Sequence, residues 1–154
     1  MLPVWPFRNR TLRHRTFGRL RPVRNGKFWR ARLPFQPAGR RVEVHISVAT
    51  DEGPTDAQEK LFLRLADEYP TVMETALGAL HREYQRVTHA QPHLRWPKAS
   101  APEDLLRLAL LDRIWLDDGH GHCFVLSFQH DADKEHEFHV FFRNWNLESV
   151  ASER

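Results

Sequence analysis

Acidic residues are missing from the first 41 positions, which carry twelve Lys and Arg. The rest of the chain holds all twenty acids against eleven Lys and Arg, a net charge of −9. The whole-chain charge of +3 therefore conceals a basic N-terminal quarter and an acidic body. Cysteine is limited to Cys123. No intramolecular disulfide can form, and a reducing cytoplasm is the expected location. No run of 18 apolar residues exists, so no membrane-spanning helix is expected. The N-terminus also lacks the apolar region of a signal peptide. Glycine-rich phosphate loops, HExxH and GxSxG are absent, and no Ser or Cys stands in a recognisable nucleophile context. These absences argue against an enzyme, and no cofactor is expected.

What is present centres on Thr55 to Val87. Thr55-Asp56-Ala57-Gln58 has the spacing of a capping box, in which the Thr hydroxyl accepts an orphan backbone N–H and Gln reaches back. Leu61, Phe62, Leu65, Ala66 and Tyr69 then fall on one helical stripe. Pro70 is expected to end that helix near Glu68. Thr71 to Glu74 repeats the capping-box spacing, so a second helix is predicted. Its stripe is Val72, Met73, Ala76, Leu77, Leu80, Tyr84 and Val87. Each large apolar side chain contributes roughly 1.5–3 kcal/mol on full burial, so both stripes need a partner surface.

Strand signals flank this pair. Asn25-Gly26 between apolar runs predicts a hairpin of Phe17–Val23 with Lys27–Leu33. Val42, Val44, Ile46 and Val48 alternate with Glu43, His45 and Ser47, the pattern of a half-buried strand. After a Pro-containing loop, Ser100-Ala101-Pro102-Glu103 predicts a short helix to about Leu108. A meander follows: Leu110–Leu116, Cys123–Phe128, a run around Phe138, Val140 and Phe142, and Trp145–Val150. The expectation is an α+β fold, an antiparallel sheet of about six or seven strands packed against a central two-helix pair. Residues 1–15 read as a basic flexible arm and 16–154 as a single α+β domain. Trp29 and Trp115 are expected in the core, with Trp5, Trp96 and Trp145 beside loops.

The late histidines, His120, His122, His130, His136 and His139, lie near Asp131, Asp133 and Glu135. A zinc site needs three or four converging ligands, and this spacing matches no zinc motif, so no metal is expected. Asp131-Ala132-Asp133 lacks the Gly and terminal Glu of a calcium loop.

A resemblance rests on Phe17-Gly18, Trp29-x-Ala31-x-Leu33, Val42-x-Val44-x-Ile46, Thr55-x-x-Gln58, Tyr84 and Glu135-His136 ahead of Val140 and Asn144. This order is similar to that of a group of small bacterial domains of unknown function with a Phe-Gly start, a Trp-x-Gly strand, a Gln-bearing helix start and a Glu-His-Gly segment. Members of such groups are often suggested to be immunity proteins of polymorphic toxin systems. Two departures stand out. Ala31 and Glu137 occupy positions where that pattern has Gly.

Three functions follow as expectations. The first is a non-enzymatic, immunity-like protein-binding domain. Its acidic turns would meet a basic, toxin-like partner, with Asp117 and Asp118 at one end of the meander and Asp131, Asp133, Glu135 and Glu137 at the other. The second is a nucleic-acid-binding accessory protein that uses the N-terminal arm and the Arg30/Arg32 strand face. The third is a metal-dependent hydrolase built on the late histidines.

Overall fold

A computed structural model describes residues 10–23, 26–48, 52–117 and 122–154. Among them, the strands are β1 (Leu12–His14), β2 (Gly18–Val23), β3 (Phe28–Phe35), β4 (Arg40–Ser47), β5 (Ala109–Leu116), β6 (Phe124–His130), β7 (Glu137–Arg143) and β8 (Asn146–Glu153). The helices are α1 (Asp56–Ala90) and α2 (Leu105–Leu108). The strands form one sheet in chain order, β1 to β8. The fold is α+β, a mixed eight-stranded sheet with one long and one short helix packed against it. No helix among the described residues is long and apolar enough to cross a membrane.

Three expectations are corrected. The sheet has eight strands rather than about six or seven, because Leu12–His14 adds β1 ahead of the predicted hairpin. The sheet is not wholly antiparallel: β4 and β5 run parallel, with Val44 opposite Ile114. The helix between them returns the chain to the starting end of β4, which is the connection a parallel neighbour requires. The helix pair is also one continuous helix with Pro70 inside it. Leu65, Tyr69, Val72 and Ala76 are all buried, so the three- or four-residue spacing passes through Pro70 in phase. A single helix therefore buries both stripes on one surface. Pro70 itself is exposed, where water can reach the Ala66 carbonyl that it leaves without an N–H donor.

The core lies between α1 and one face of the sheet. The N-terminal half of α1 sets Phe62 against Phe17 and Phe35, at ring-centroid distances of 5.0 and 5.8 Å. Its C-terminal half stacks Tyr84 on Phe138 of β7. Trp29 is in this core, as expected. The start of α1 is tied to the sheet by Gln58, which is fully buried. Its Nε2 donates to the carbonyls of Ser47 (2.7 Å) and Asp117 (2.8 Å), at the ends of β4 and β5. Its Oε1 accepts the Thr55 N–H at 2.9 Å, and Thr55 Oγ1 accepts the Gln58 N–H at 3.2 Å. The predicted capping box is thus present, and its Gln also holds the one parallel seam. In the 3-10 turn Pro102–Asp104 that leads into α2, the cap differs from the expected one: the Asp104 carboxylate accepts the N–H groups of Ser100 and Ala101.

Of the arm expected over residues 1–15, residues 1–9 lie outside the described residues. Leu12–His14 is β1, with Arg13 opposite Arg19. Arg15 donates to Glu59 of α1 at 2.9 and 2.5 Å, and the Thr16 hydroxyl adds a bond of 2.6 Å. These hydrogen bonds, from Arg15 first and then Thr16, hold the Glu59 carboxyl down at about 2. A lowered carboxyl stabilises the fold fully above its unfolded value and ceases to do so as pH falls through its folded value. Replacing Glu59 with Gln is therefore expected to lower stability at neutral pH and to flatten the loss of stability below about pH 4. Urea melts between acid and neutral pH check this, and an unchanged pH slope would show that the bridge does not couple to folding.

Candidate functional site

Both helices cover the same face of the sheet. The opposite face is open among the described residues, and strand alternation decides what it carries. Leu20, Trp29, Ala31, Val42, Val44 and Ile46 are buried under α1. Their neighbours Arg19, Arg21, Arg30, Arg32, Glu43 and His45 face outward.

At the β1–β3 end this face is basic. Arg13 lies opposite Arg19 and Arg21 opposite Arg30. Arg19, Arg21, Arg30, Arg32 and Glu43 line a groove of about 450 Å³. Arg30 reaches Glu43 at 3.7 Å. Among the described residues Arg13, Arg19, Arg21 and Arg32 form no ion pair with a carboxylate. Like charges placed directly opposite across strands destabilise a sheet.

The middle of the face is an aromatic row. Trp115 packs edge-on to Phe28 at 5.6 Å and against His45 at 4.2 Å, and the Arg113 guanidinium lies 5.5 Å from its ring. Trp115 is half-exposed on this face rather than in the core, which corrects the expectation. It shares the parity of Arg113, whereas Ile114 and Leu116 point under the helix. Burial in this row pushes the His45 imidazole below its ordinary value. Val125 and Phe141 continue the row, both half-buried.

The β7–β8 end is acidic. Glu137 stands opposite Glu153 in register. Between them is His139, whose Nε2 is 2.8 Å from Glu153 Oε1 and 3.7 Å from Glu137 Oε2. Its Nδ1 is 2.7 Å from Ser127 Oγ. A Ser–His–Glu chain invites comparison with a nucleophilic triad, but Ser127 is only 1% exposed in the middle of the sheet. A substrate carbonyl has no route to that hydroxyl in this arrangement.

The acids expected to bind a partner have separate surroundings. Asp117 lies at one end of the meander, with its N–H bonded to the Cys123 carbonyl. Asp118 lies outside the described residues, as does His120. Asp131 faces Lys134 at 3.7 Å, and Glu135 faces Arg154 at 3.0 Å. Asp133 accepts the Trp96 indole N–H at 3.0 Å and sits 2.7 Å from His136 Nδ1. Glu137 opens β7 and meets Arg113 at 3.3 Å. Each of these last four is therefore matched by a cation or donor of its own chain. Among the described residues, Arg13, Arg19, Arg21 and Arg32, the open-face arginines without a carboxylate partner, are at its β1–β3 end.

The histidines also separate. His122 is exposed. His130 is buried, and its Nδ1 accepts the N–H groups of Ala132 and Asp133, both at 3.0 Å. Burial lowers its affinity for a proton. Trp96 packs on it at 4.4 Å and meets His136 edge-on at 4.8 Å. Of the late histidines among the described residues, His139 is the one on the open face, where His45 also lies.

Fold and face together define an α+β domain with a charge-segregated open sheet. The chain belongs to the family described as Domain of unknown function (DUF6985), whose model matches residues 16–154. No curated protein and no solved structure matches the chain significantly. The motif residues behind the expected resemblance are architectural. Phe17, Trp29, Gln58, Tyr84 and His136 are all buried. The two positions that depart from Gly are strand positions: Ala31 pairs with Val44 and Glu137 with Gln129. Neither has a positive φ, so neither substitution forces strain.

Proposed function

We propose that the protein is a non-enzymatic binding protein whose open sheet face holds a single-stranded nucleic acid. The observation that carries this reading is the cluster of Arg13, Arg19, Arg21, Arg30 and Arg32 on one face, with two Arg–Arg pairs in register. A phosphate backbone supplies the missing counter-charge, and guanidinium binds phosphate through paired N–H donors. Phe28 and Trp115 lie beside the cluster, where unstacked bases find an aromatic surface. The sequence already pointed to Arg30 and Arg32; the fold adds their neighbours. A fluorescein-labelled oligothymidylate of about 15 nucleotides tests this by anisotropy. Binding is expected to weaken steeply with salt, and Arg21→Glu with Arg30→Glu is expected to cost more than tenfold in affinity. Equal affinity of the double variant, or no binding at low salt, defeats the reading.

A second reading is the immunity-like one, with a basic protein partner. The half-exposed apolar row between ends of opposite charge favours it, because protein interfaces combine an apolar centre with a polar rim. Here the exposed Asp131 and Glu135 would meet the partner first. Reversing those two charges is then expected to slow association with a partner recovered from the native host, while leaving oligothymidylate affinity unchanged.

A further inference from the structure

We infer that Glu137, His139 and Glu153 form a binding site for a divalent cation of the zinc class. Their ligand atoms lie within 4.8 Å of one another. Tetrahedral zinc at ordinary bond lengths needs donors about 3.3 Å apart. The distances from His139 Nε2, 2.8 Å to Glu153 Oε1 and 3.7 Å to Glu137 Oε2, bracket that value. Small rotations of two carboxylates are enough to admit the ion.

Two of the three ligands are already oriented from behind. Ser127 Oγ holds His139 Nδ1 at 2.7 Å, so Nε2 is the nitrogen turned to the site. Arg113 Nη2 takes Glu137 Oε1 at 3.3 Å, which leaves Oε2 on the His139 side. Outer-shell partners of this kind fix ring and carboxylate orientation in metal sites. Register supplies a separate reason. Glu137 and Glu153 face each other across β7 and β8, and of the two Arg113 answers Glu137 alone, so two like charges with a single arginine favour a further cation at this point. The donor set selects the metal. One imidazole and two carboxylates suit zinc, whereas magnesium and calcium prefer oxygen alone. Three protein ligands leave a fourth position for water. An ion here joins edge strand β8 to β7, so its first effect is on stability. The inference does not depend on nucleic-acid binding at the opposite end of the face.

The test uses untagged, metal-stripped protein titrated with zinc chloride by calorimetry, alongside melting curves. One equivalent is expected to bind and raise the melting temperature. His139→Ala is expected to weaken binding by at least about tenfold. Glu153→Gln should do the same, and because that side chain is 67% exposed the variant keeps its fold. Substituting His122, which lies outside the cluster, should leave binding unchanged. The inference is overturned if zinc does not bind. It is also overturned if binding survives both His139→Ala and Glu153→Gln, or if His122→Ala abolishes it.

Discussion

Replacing Gln58 with alanine is expected to cost about 2–4 kcal/mol, far more than losing a helix cap alone. The side chain bonds to three backbone groups: the Ser47 and Asp117 carbonyls and the Thr55 N–H. Each polar group left buried without a partner costs about 1–3 kcal/mol, reduced where water enters the space. Thr55→Ala removes only the cap hydroxyl and is expected to cost about 1 kcal/mol. Gln58→Glu should exceed both, because a carboxylate has no N–H to offer and sets negative oxygen against two carbonyls. Urea melts of the three variants check the order. A Gln58→Ala loss no greater than that of Thr55→Ala would mean that the two carbonyls find water, and that the seam does not depend on the amide.

Leu65→Ala and Leu80→Ala are each expected to cost about 2–5 kcal/mol, the usual range for a buried leucine with its residual cavity. Both side chains are fully buried, one on either side of Pro70. Leu77 lies on the flank of the stripe and is half-buried, so Leu77→Ala should cost clearly less. The comparison tests the single-helix arrangement, since it fixes which side of the second stripe meets the sheet. Pro70→Ala completes the set. An interior proline costs a helix about 3 kcal/mol relative to alanine, so this exposed substitution should stabilise. At a junction between two helices it would be neutral. Equal losses at Leu77 and Leu80 would put the wrong side of α1 on the sheet.

Several features were legible in the sequence because they are local. The alternation of Val42 to Val48 marked β4, and Thr55 with Gln58 marked the helix start. Strand β1 was not legible, because Leu12–His14 is three residues long and owes its pairing to β2. Pro70 misled for a definite reason. Proline disfavours a helix locally, but tertiary burial of an in-phase stripe outweighs it. The phase was readable all along: Leu65, Tyr69, Val72 and Ala76 keep helical spacing, which two independent helices have no need to share. Trp115 was assigned to the core from its place inside a strand, while its parity with Arg113 pointed outward. For the candidate surfaces, the parity of Arg19 with Arg21 and of Arg30 with Arg32 was visible. Their mutual facing was not, because it depends on register. Likewise His139 and Glu153 meet only through the pairing of β7 with β8. The acidic turns looked like an interface because Arg154 and Trp96, which pair with Glu135 and Asp133, approach from elsewhere in the fold.

The single parallel pair also divides the chain's entropy unequally. Strands β1 to β4 and β5 to β8 are two meanders, each zipped by short connections between neighbours. Only Val44 with Ile114 and its adjoining pairs span a wide gap in sequence, closing a loop of roughly 70 residues. Each half can gain its pairings at small loop cost, while the seam between them bears the one large closure penalty of the sheet. Helix α1 lies within that loop and spans part of it as about 50 Å of rigid rod. The Gln58 amide sits at the point where the rod meets both halves, so the side chain that closes the seam belongs to the element that makes its closure affordable.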